Sequence, residues 1–413
     1  MHRPKISRQT GVILLVGLVS RIILSIIQAI IGFRGNTGVL QNLTGIAWVD
    51  DFAAYYMSQV HSVLAGGIPY LTFGYWSMPG FVYLLTAGFL VGGYFGAGAI
   101  VFLSDALTGV VIYKIARIHV KSDVTAMGAA LVYLLLPLVL ASEGYMWLDM
   151  QPMLLFMVLS FYYMYDNKFL VSGIFMGAAV LMKQEAIPVI LVMMLFIWMT
   201  SPGWKQKLKE FSLGSFSLIG SGVAPFLILT PGNFLNSISF LSFFPSTPIQ
   251  TGPQPIYHFV NATSLCSVIV NGAVTVTGPA SCLANITSST FIIQIEVLLN
   301  AIAIPIIIPL AVFGGVLSVV FTKKHIVRLE VTCGYIITTV LAFMTFHAMF
   351  GYYFIPVYAV LLASVRDTWD LVILAPMLVA STFFAPPALV LVIYITIIML
   401  IVHGISLKTP VLE

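Results

Sequence analysis

The chain has 413 residues, 60% of them hydrophobic and only 8% charged, with a mean hydropathy of +1.05 and a formal net charge of +4. Soluble domains carry roughly a quarter charged residues, so a water-soluble globule is excluded, and the small basic excess reports topology rather than a nucleic-acid partner. Apolar runs of about 20 residues recur from end to end, each able to cross a ~30 Å hydrocarbon core as a helix. Barrel strands would instead alternate apolar and polar over ~10 residues. The expected class is an all-α polytopic membrane protein forming one transmembrane domain over 1–413.

Gly11 to Ile31 is the first apolar run. It is too long for a signal-peptide core and lacks a small-residue cleavage site, so it reads as an uncleaved first span. Most of the 18 Lys and Arg fall in clusters: Arg3/Lys5/Arg8, Lys114/Arg117/Lys121, Lys168, Lys205/Lys207/Lys209, Lys323/Lys324/Arg328, Arg366 and Lys408. Cytoplasmic loops collect such residues, so an even number of spans should separate each cluster from the next. The apolar segment Met78 to Gly93 is about 16 residues long, short of the ~20 that a straight span needs. If it crossed, Lys114, Arg117 and Lys121 would face outside. It is therefore expected as an interfacial or re-entrant helix, entered at Pro79, in a long first outer loop at 32–95. The spans then read 11–31, 97–117, 124–142, 150–165, 169–183, 186–200, 211–229, 292–321, 329–349, 352–365, 370–385 and 387–406. That is about 12 transmembrane helices with both termini inside and a second large outer loop at 230–291.

The second outer loop holds Cys266 and Cys282, which an oxidising side would allow to form a disulfide. It also holds the sequons at Asn261 and Asn285, and a third sequon lies at Asn42 in the first loop. These are N-glycosylation candidates only on the translocated side; a loop rich in Asn, Ser and Thr also produces sequons by chance. Cys333 sits in a span and reads as core.

Placed on this map, the polar residues gather at the outer face: the adjacent pair Asp50 and Asp51, Glu143, Asp149, Lys183, Gln184, Glu185 and His347, with Asp105 inside the second span. Ionisable groups at membrane depth are costly and are functional candidates by default. Each has a plainer reading. Asp105 could be satisfied by Ser and Thr neighbours, Glu143 and Asp149 could be solvated loop residues, and His347 could be an interface histidine. Lys183 interrupts an apolar stretch on the outer side and resists such a reading. So does the acid pair, because buried like charges are costly unless one is protonated or partnered. Neighbouring residues do not share a face, so one acid can act as a base while the other anchors the loop. After them come Gly67-Ile68-Pro69-Tyr70 and Tyr75-Trp76-Ser77-Met78-Pro79, turn chemistry with interfacial aromatics.

In order along the chain, these motifs resemble the GT-C glycosyltransferases, and within them the GPI mannosyltransferase I-like, polyprenol-phosphate-mannose-dependent branch. The resemblance rests on Asp50-Asp51, the Gly67 to Tyr70 segment, Tyr75 to Gly80, Asp105 in the second span, Lys183 with Pro188, and Phe346-His347 followed by Tyr352 to Pro356. The chain departs from the branch in carrying Glu143 and Asp149 where an Arg is common, and Pro79-Gly80 where Pro-Leu is common. The resemblance implies a GT-C-like fold and an inverting transfer of a sugar, with mannose the first expectation. The donor would be a polyprenyl- or dolichyl-phosphate sugar and the acceptor a hydroxyl on a lipid or glycan. Transfer would occur at the extracytoplasmic face of an archaeal or bacterial cell membrane, or of the endoplasmic reticulum.

Asp50 or Asp51 would be the base. Lys183 would contact the donor phosphate, with His347 and Arg34 as further candidates. Tyr70, Tyr75, Trp76, Asp105, Glu143, Asp149, Gln184 and Tyr352 would line the substrate groove. Paired acids could also hold a divalent metal, but relatives that use polyprenyl-phosphate sugars commonly do without one, so no cofactor or metal is expected. The partners implied are the lipid-linked donor, the acceptor and membrane lipids. The rival readings are a secondary transporter or lipid flippase, for which no two-half repeat is visible, and a non-catalytic accessory subunit.

Overall fold

The structure is a computed structural model of the chain. It describes residues 7–31, 52–75, 77–140, 147, 150–238, 267–270, 273–276, 309, 328–344, 354–381 and 386–406. The described chain is overwhelmingly helical. Helix α1 is Arg8–Ile31, and a π-turn, Phe52–Tyr56, runs into α2, Met57–Leu64. Then follow α3, Gly80–His119; α4, Asp123–Leu135; α5, Met150–Tyr165; α6, Phe169–Met182; α7, Ile187–Thr200; α8, Trp204–Leu229; and α9, Pro231–Ile238. The last four are α10, Leu329–Met344; α11, Ile355–Ala363; α12, Thr368–Ser381; and α13, Pro386–Ser406. One element departs from the all-helical expectation. Ser267–Val270 and Ala273–Val276 pair antiparallel, Ser267 opposite Val276, within the segment expected as the second outer loop.

Helices lie at the positions of the expected spans where the chain is described, except that the one expected over 124–142 ends at Leu135; the 292–321 span falls outside apart from residue 309. Among the described residues, three helices are long and apolar enough to cross a membrane: α1, α3 and α8. Six of the others, α4, α6, α7, α10, α12 and α13, are shorter apolar helices, so the architecture is that of a helical membrane protein. Pro137 shows why one of them is short. A residue before proline is driven out of the helical region; Leu136 accordingly sits at φ −56°, ψ 129°, and α4 stops at Leu135. Its other end is set by Ser122, whose side chain accepts from the Thr125 N–H.

The Met78 to Gly93 segment folds as a helix directly after Pro79, but it is joined to the next helix through a break at Gly92 and Gly93. Gly93 has φ +60°, a region open to glycine at little cost. The first leg, about 12 residues or ~18 Å at 1.5 Å per residue, then lies against the second. A Cβ at Gly96 would stand 2.3 Å from the Gly88 carbonyl oxygen. The leg is short and folds back on its neighbour.

The helix ends that carry the basic clusters meet at one end of the bundle. Glu330 at the start of α10 accepts from Tyr165 at the end of α5 (2.8 Å) and lies 3.4 Å from His119 at the end of α3. Arg328 donates to the Ser364 and Val365 carbonyls after α11. Arg366 holds Asp370 of α12 through two bonds of 2.8 and 2.9 Å, and His403 near the end of α13 meets Asp367 at 3.0 Å. Lys207 lies over the Phe169 ring, joining the starts of α8 and α6.

The tightest pair is α6 with α8. A Cβ at Gly173 would stand 2.1 Å from the Phe211 carbonyl oxygen, and one at Gly214 would stand 2.3 Å from that of Leu170. Small residues let backbones approach where no water is present to drive association. Gly173→Leu should separate the helices and cost about 1–3 kcal/mol or more, read as a lowered Tm in detergent; an unchanged Tm would show that the contact is dispensable. At the basic end, burial alone would raise the Asp367 carboxyl. The Asp370 N–H and His403 outweigh that and hold it below the ordinary carboxylate range. Such a group adds stability above its unfolded value and loses it as pH falls through the folded one. Asp367→Asn should therefore lower Tm at neutral pH and flatten the loss below about pH 4, measured by thermal unfolding across pH.

Candidate functional site

The opposite end of the bundle is built around a break between two apolar helices. α6 ends at Met182, Lys183 adopts extended backbone (φ −157°, ψ 136°), and a single 3-10 turn, Gln184–Ala186, leads into α7, where Pro188 stands in the first turn. The break places Lys183 and Gln184 inside the protein, 3% and 0% exposed. The Lys183 ammonium lies 3.7 Å from Glu185 Oε1, and both side chains are buried.

The Gly67 to Gly80 segment packs onto this break. The Ser77 hydroxyl lies 3.4 Å from both the Met182 carbonyl oxygen and Gln184 Oε1, and Gly80 is close enough to Leu181 that a Cβ would meet its carbonyl at 2.6 Å. Tyr70 fixes the segment. It takes φ +64°, unusual for a residue with a side chain. Its N–H donates to the Phe73 carbonyl, its hydroxyl donates to that of Ser77, and its own carbonyl accepts from Asn233 Nδ2 at 3.0 Å. The Tyr70 ring meets Tyr75, Phe226 and Phe234 edge-on, and burial pushes its phenol well up from the ordinary range. Tyr75 is buried and stacks on Tyr55 of the π-turn at 6.5 Å. Of the expected groove residues, Tyr70, Tyr75 and Gln184 are thus brought together beside Lys183, with Tyr70 committed to holding the turn.

The motif around Lys183 also meets the later one. Pro188 and Pro356, from separate motifs of the chain, line one cleft with Glu185. Phe52, the residue after the acid pair, is fully buried and edge-on to Trp147 (5.1 Å) and Tyr94 (5.3 Å). Asp50, Asp51, Arg34, Trp76, Glu143, Asp149, His347 and Tyr352 lie outside the described residues, as do Cys266, Cys282, Asn42, Asn261 and Asn285.

Asp105 belongs to a different constellation, and its partner was missed in the sequence. Arg21 of α1 is fully buried; its Nε donates to Asp105 Oδ2 at 2.6 Å, while Nη2 lies 2.5 Å from the same oxygen, outside hydrogen-bond alignment. Nη1 donates to the Leu134 carbonyl and to Ser20. The Tyr133 hydroxyl faces both Asp105 Oδ1 (2.8 Å) and Gln151 Oε1 (3.0 Å), extending the network from α1 through α3 and α4 to α5. The available signal was one Arg in the first apolar run and one Asp in the second, because intramembrane charges pair. At the basic end, Asp367, Asp370 and His403 bring three ligand atoms within 4.8 Å. Arg366 already engages both oxygens of Asp370, so the cluster reads as an ion-pair network.

Compared with known protein families, with curated proteins and with solved structures, the chain finds no match.

Removing Arg21 alone would leave Asp105 as an uncompensated buried charge. Arg21→Met should destabilise the protein by about 3–5 kcal/mol, whereas Arg21→Met with Asp105→Leu should recover most of the loss. Thermal unfolding of the three proteins in detergent tests this, and a single variant as stable as wild type would refute the clamp.

Proposed function

We propose that the protein is an integral-membrane glycosyltransferase of GT-C-like plan, with about 12 spans and its site on the extracytoplasmic side. It would move a sugar, mannose first among the candidates, from a polyprenyl-phosphate donor to a hydroxyl of a lipid or glycan. The observation that carries the reading is the convergence at the α6–α7 break. A buried lysine, the aromatic turn that follows the acid pair in sequence, and the Pro188 and Pro356 motifs occupy one end of the bundle. That end is opposite the basic clusters, which the positive-inside rule assigns to the cytoplasm.

The chemistry is an inverting displacement. The acceptor oxygen attacks the anomeric carbon from the face opposite the phosphate, and the carbon–oxygen bond to phosphate breaks. Its electron pair leaves with the polyprenyl phosphate, and the acceptor proton passes to Asp50 or Asp51. Phosphate leaves without a general acid. A fixed cation at Lys183 stabilises the charge that grows on it.

A break with buried charge is also what a transporter would use at mid-membrane, so the test must separate transfer from movement. Purified protein is given radiolabelled dolichyl-phosphate-mannose, other polyprenyl-phosphate sugars and a membrane lipid extract. Wild type should form a labelled lipid or glycan. Asp50→Asn or Asp51→Asn should lower the rate by about 10²–10⁴-fold, and Lys183→Ala by about 10²–10³-fold. Label carried across proteoliposomes without a new product, or acid variants as active as wild type, would sink the transferase reading.

A further inference from the structure

Two helices measure how deep the α6–α7 break lies. α6 starts beside Lys168, which forms an exposed ion pair with Asp166. Its 14 residues rise about 21 Å at 1.5 Å per residue. A hydrocarbon core is ~30 Å thick, so the break stops about 9 Å short of the far boundary. α8 gives the same answer independently. It runs parallel to α6 and against it: a Cβ at Gly177 would meet the Ser215 carbonyl oxygen at 2.7 Å, and one at Gly222 would meet the Leu181 side chain at 2.7 Å. From Lys209 to Leu229, about 20 residues, α8 covers about 30 Å, one full core. Gly222 marks the level of the break. Beyond it α8 continues through the apolar Val223-Ala224-Pro225-Phe226-Leu227-Ile228-Leu229, about 10 Å more.

Phe226 of that extension is buried against Tyr70, while Leu227, Ile228 and Leu229 are exposed, Ile228 at 78%. An exposed stretch this apolar belongs in lipid. The first leg of α3 behaves alike. It starts at Gly80 against Leu181 and ends in Leu90 and Val91, both exposed. Hydrocarbon therefore extends past the break. Non-helical backbone at such depth holds only where protein covers it or where it lines a water-filled cavity. Here the Gly67 to Gly80 segment covers it, and Lys183 and Gln184 are buried. We propose that the Lys183–Glu185 ion pair lies about 10 Å beneath the outer edge of the hydrocarbon, and that the head groups it serves are carried there by lipids rather than arriving from water. Resting on the transferase reading, the donor phosphate is drawn below the level of its neighbours' heads to meet Lys183.

The test uses the full chain in nanodiscs, with a fluorescent amino acid at one position at a time and lipids carrying a nitroxide at an early acyl carbon or near the chain end. Leu191 of α7, about one turn past the break, and Ile228 of α8 are both exposed, so the replacements leave packing intact, and thermal unfolding checks each variant. Leu191 should lie near the bilayer centre, about 15 Å below the outer edge, and be quenched severalfold more by the chain-end nitroxide. Ile228 should show the reverse order. Strongest quenching of Leu191 by the early-carbon nitroxide would raise the break to the surface and overturn the depth. Iodide in the water should leave a probe at Ile187, beside the break, unquenched. Quenching there equal to that of a probe at Lys205, exposed at the basic end, would reveal an aqueous route and overturn delivery by lipid. Neither measurement needs turnover, so a deep, iodide-shielded break in a chain that transfers no sugar keeps the recessed pair and loses only the transferase reading.

Discussion

Hydrocarbon offers a charged side chain no partner, and that penalty organises this structure. It is clearest where it is met inside a helix layer. α1 presents Leu15, Val19, Ile22, Ile23 and Ile26 outward, all substantially exposed, and such a helix has little apolar incentive to prefer the bundle over lipid. Arg21 supplies the incentive. Its guanidinium is satisfied only where Asp105 and the Leu134 carbonyl stand together, which fixes the rotation and depth of α1 against α3 and α4. The pair is weak evidence for net stability, since two charges were desolvated to make it. Its effect is registry: a displaced α1 would leave a buried acid alone.

The same penalty distinguishes the two ends of the bundle. At the basic end the ionisable groups are closed on one another, Arg366 on Asp370, His403 on Asp367, and His119 and Tyr165 on Glu330. These contacts staple helix termini whose backbone groups would otherwise need water. At the other end charge is carried by the interruption of a helix. The extended backbone of Lys183 turns the chain between two strongly apolar segments, and the polar residues of the turn face inward. A continuous helix there would have sent Lys183 and Glu185 to different faces. The turn holds them 3.7 Å apart.

The helices were legible because their signal is local. Apolar length and basic clusters were enough to place α5, α6 and α13 within a residue or two, and Pro79 marks the start of a helix; the expected span 124–142 ran across Pro137, where the residue before proline in fact leaves the helix. The break at Gly92–Gly93 was legible only as the end of a segment too short to cross, since glycine pairs also occur inside helices. Partners were legible only as unpaired intramembrane charges that must find one another. Arg21 and Asp105 are 84 residues apart, and only the fold brings them together. Glu330 stands close to a basic cluster in the sequence, and nothing there shows its burial, which follows from the joining of α3, α5 and α10. Tyr70 read as a groove aromatic, because its positive φ and its bond to the Ser77 carbonyl depend on a turn that Asn233 and Phe234 help close. The two short strands, in a loop rich in Asn, Ser and Thr, carried no clear alternation over enough residues to stand out.

Under the transferase reading, the neighbouring charges at the break answer a problem in the chemistry. The reaction brings an anionic phosphate and a neutral hydroxyl to one carbon, and both substrates arrive on hydrocarbon chains that the membrane does not distinguish. Apolar contact cannot sort them, since a methylene of one is worth the same as a methylene of the other. Sorting must come from the heads. Lys183 and Glu185, two positions apart on one turn, stand 3.7 Å from each other, so the heads would meet an ion pair rather than a lone charge. Under that reading the acid pair that precedes Phe52 would take the acceptor's proton, and Lys183, held by the α6–α7 turn, would face the charge growing on the phosphate.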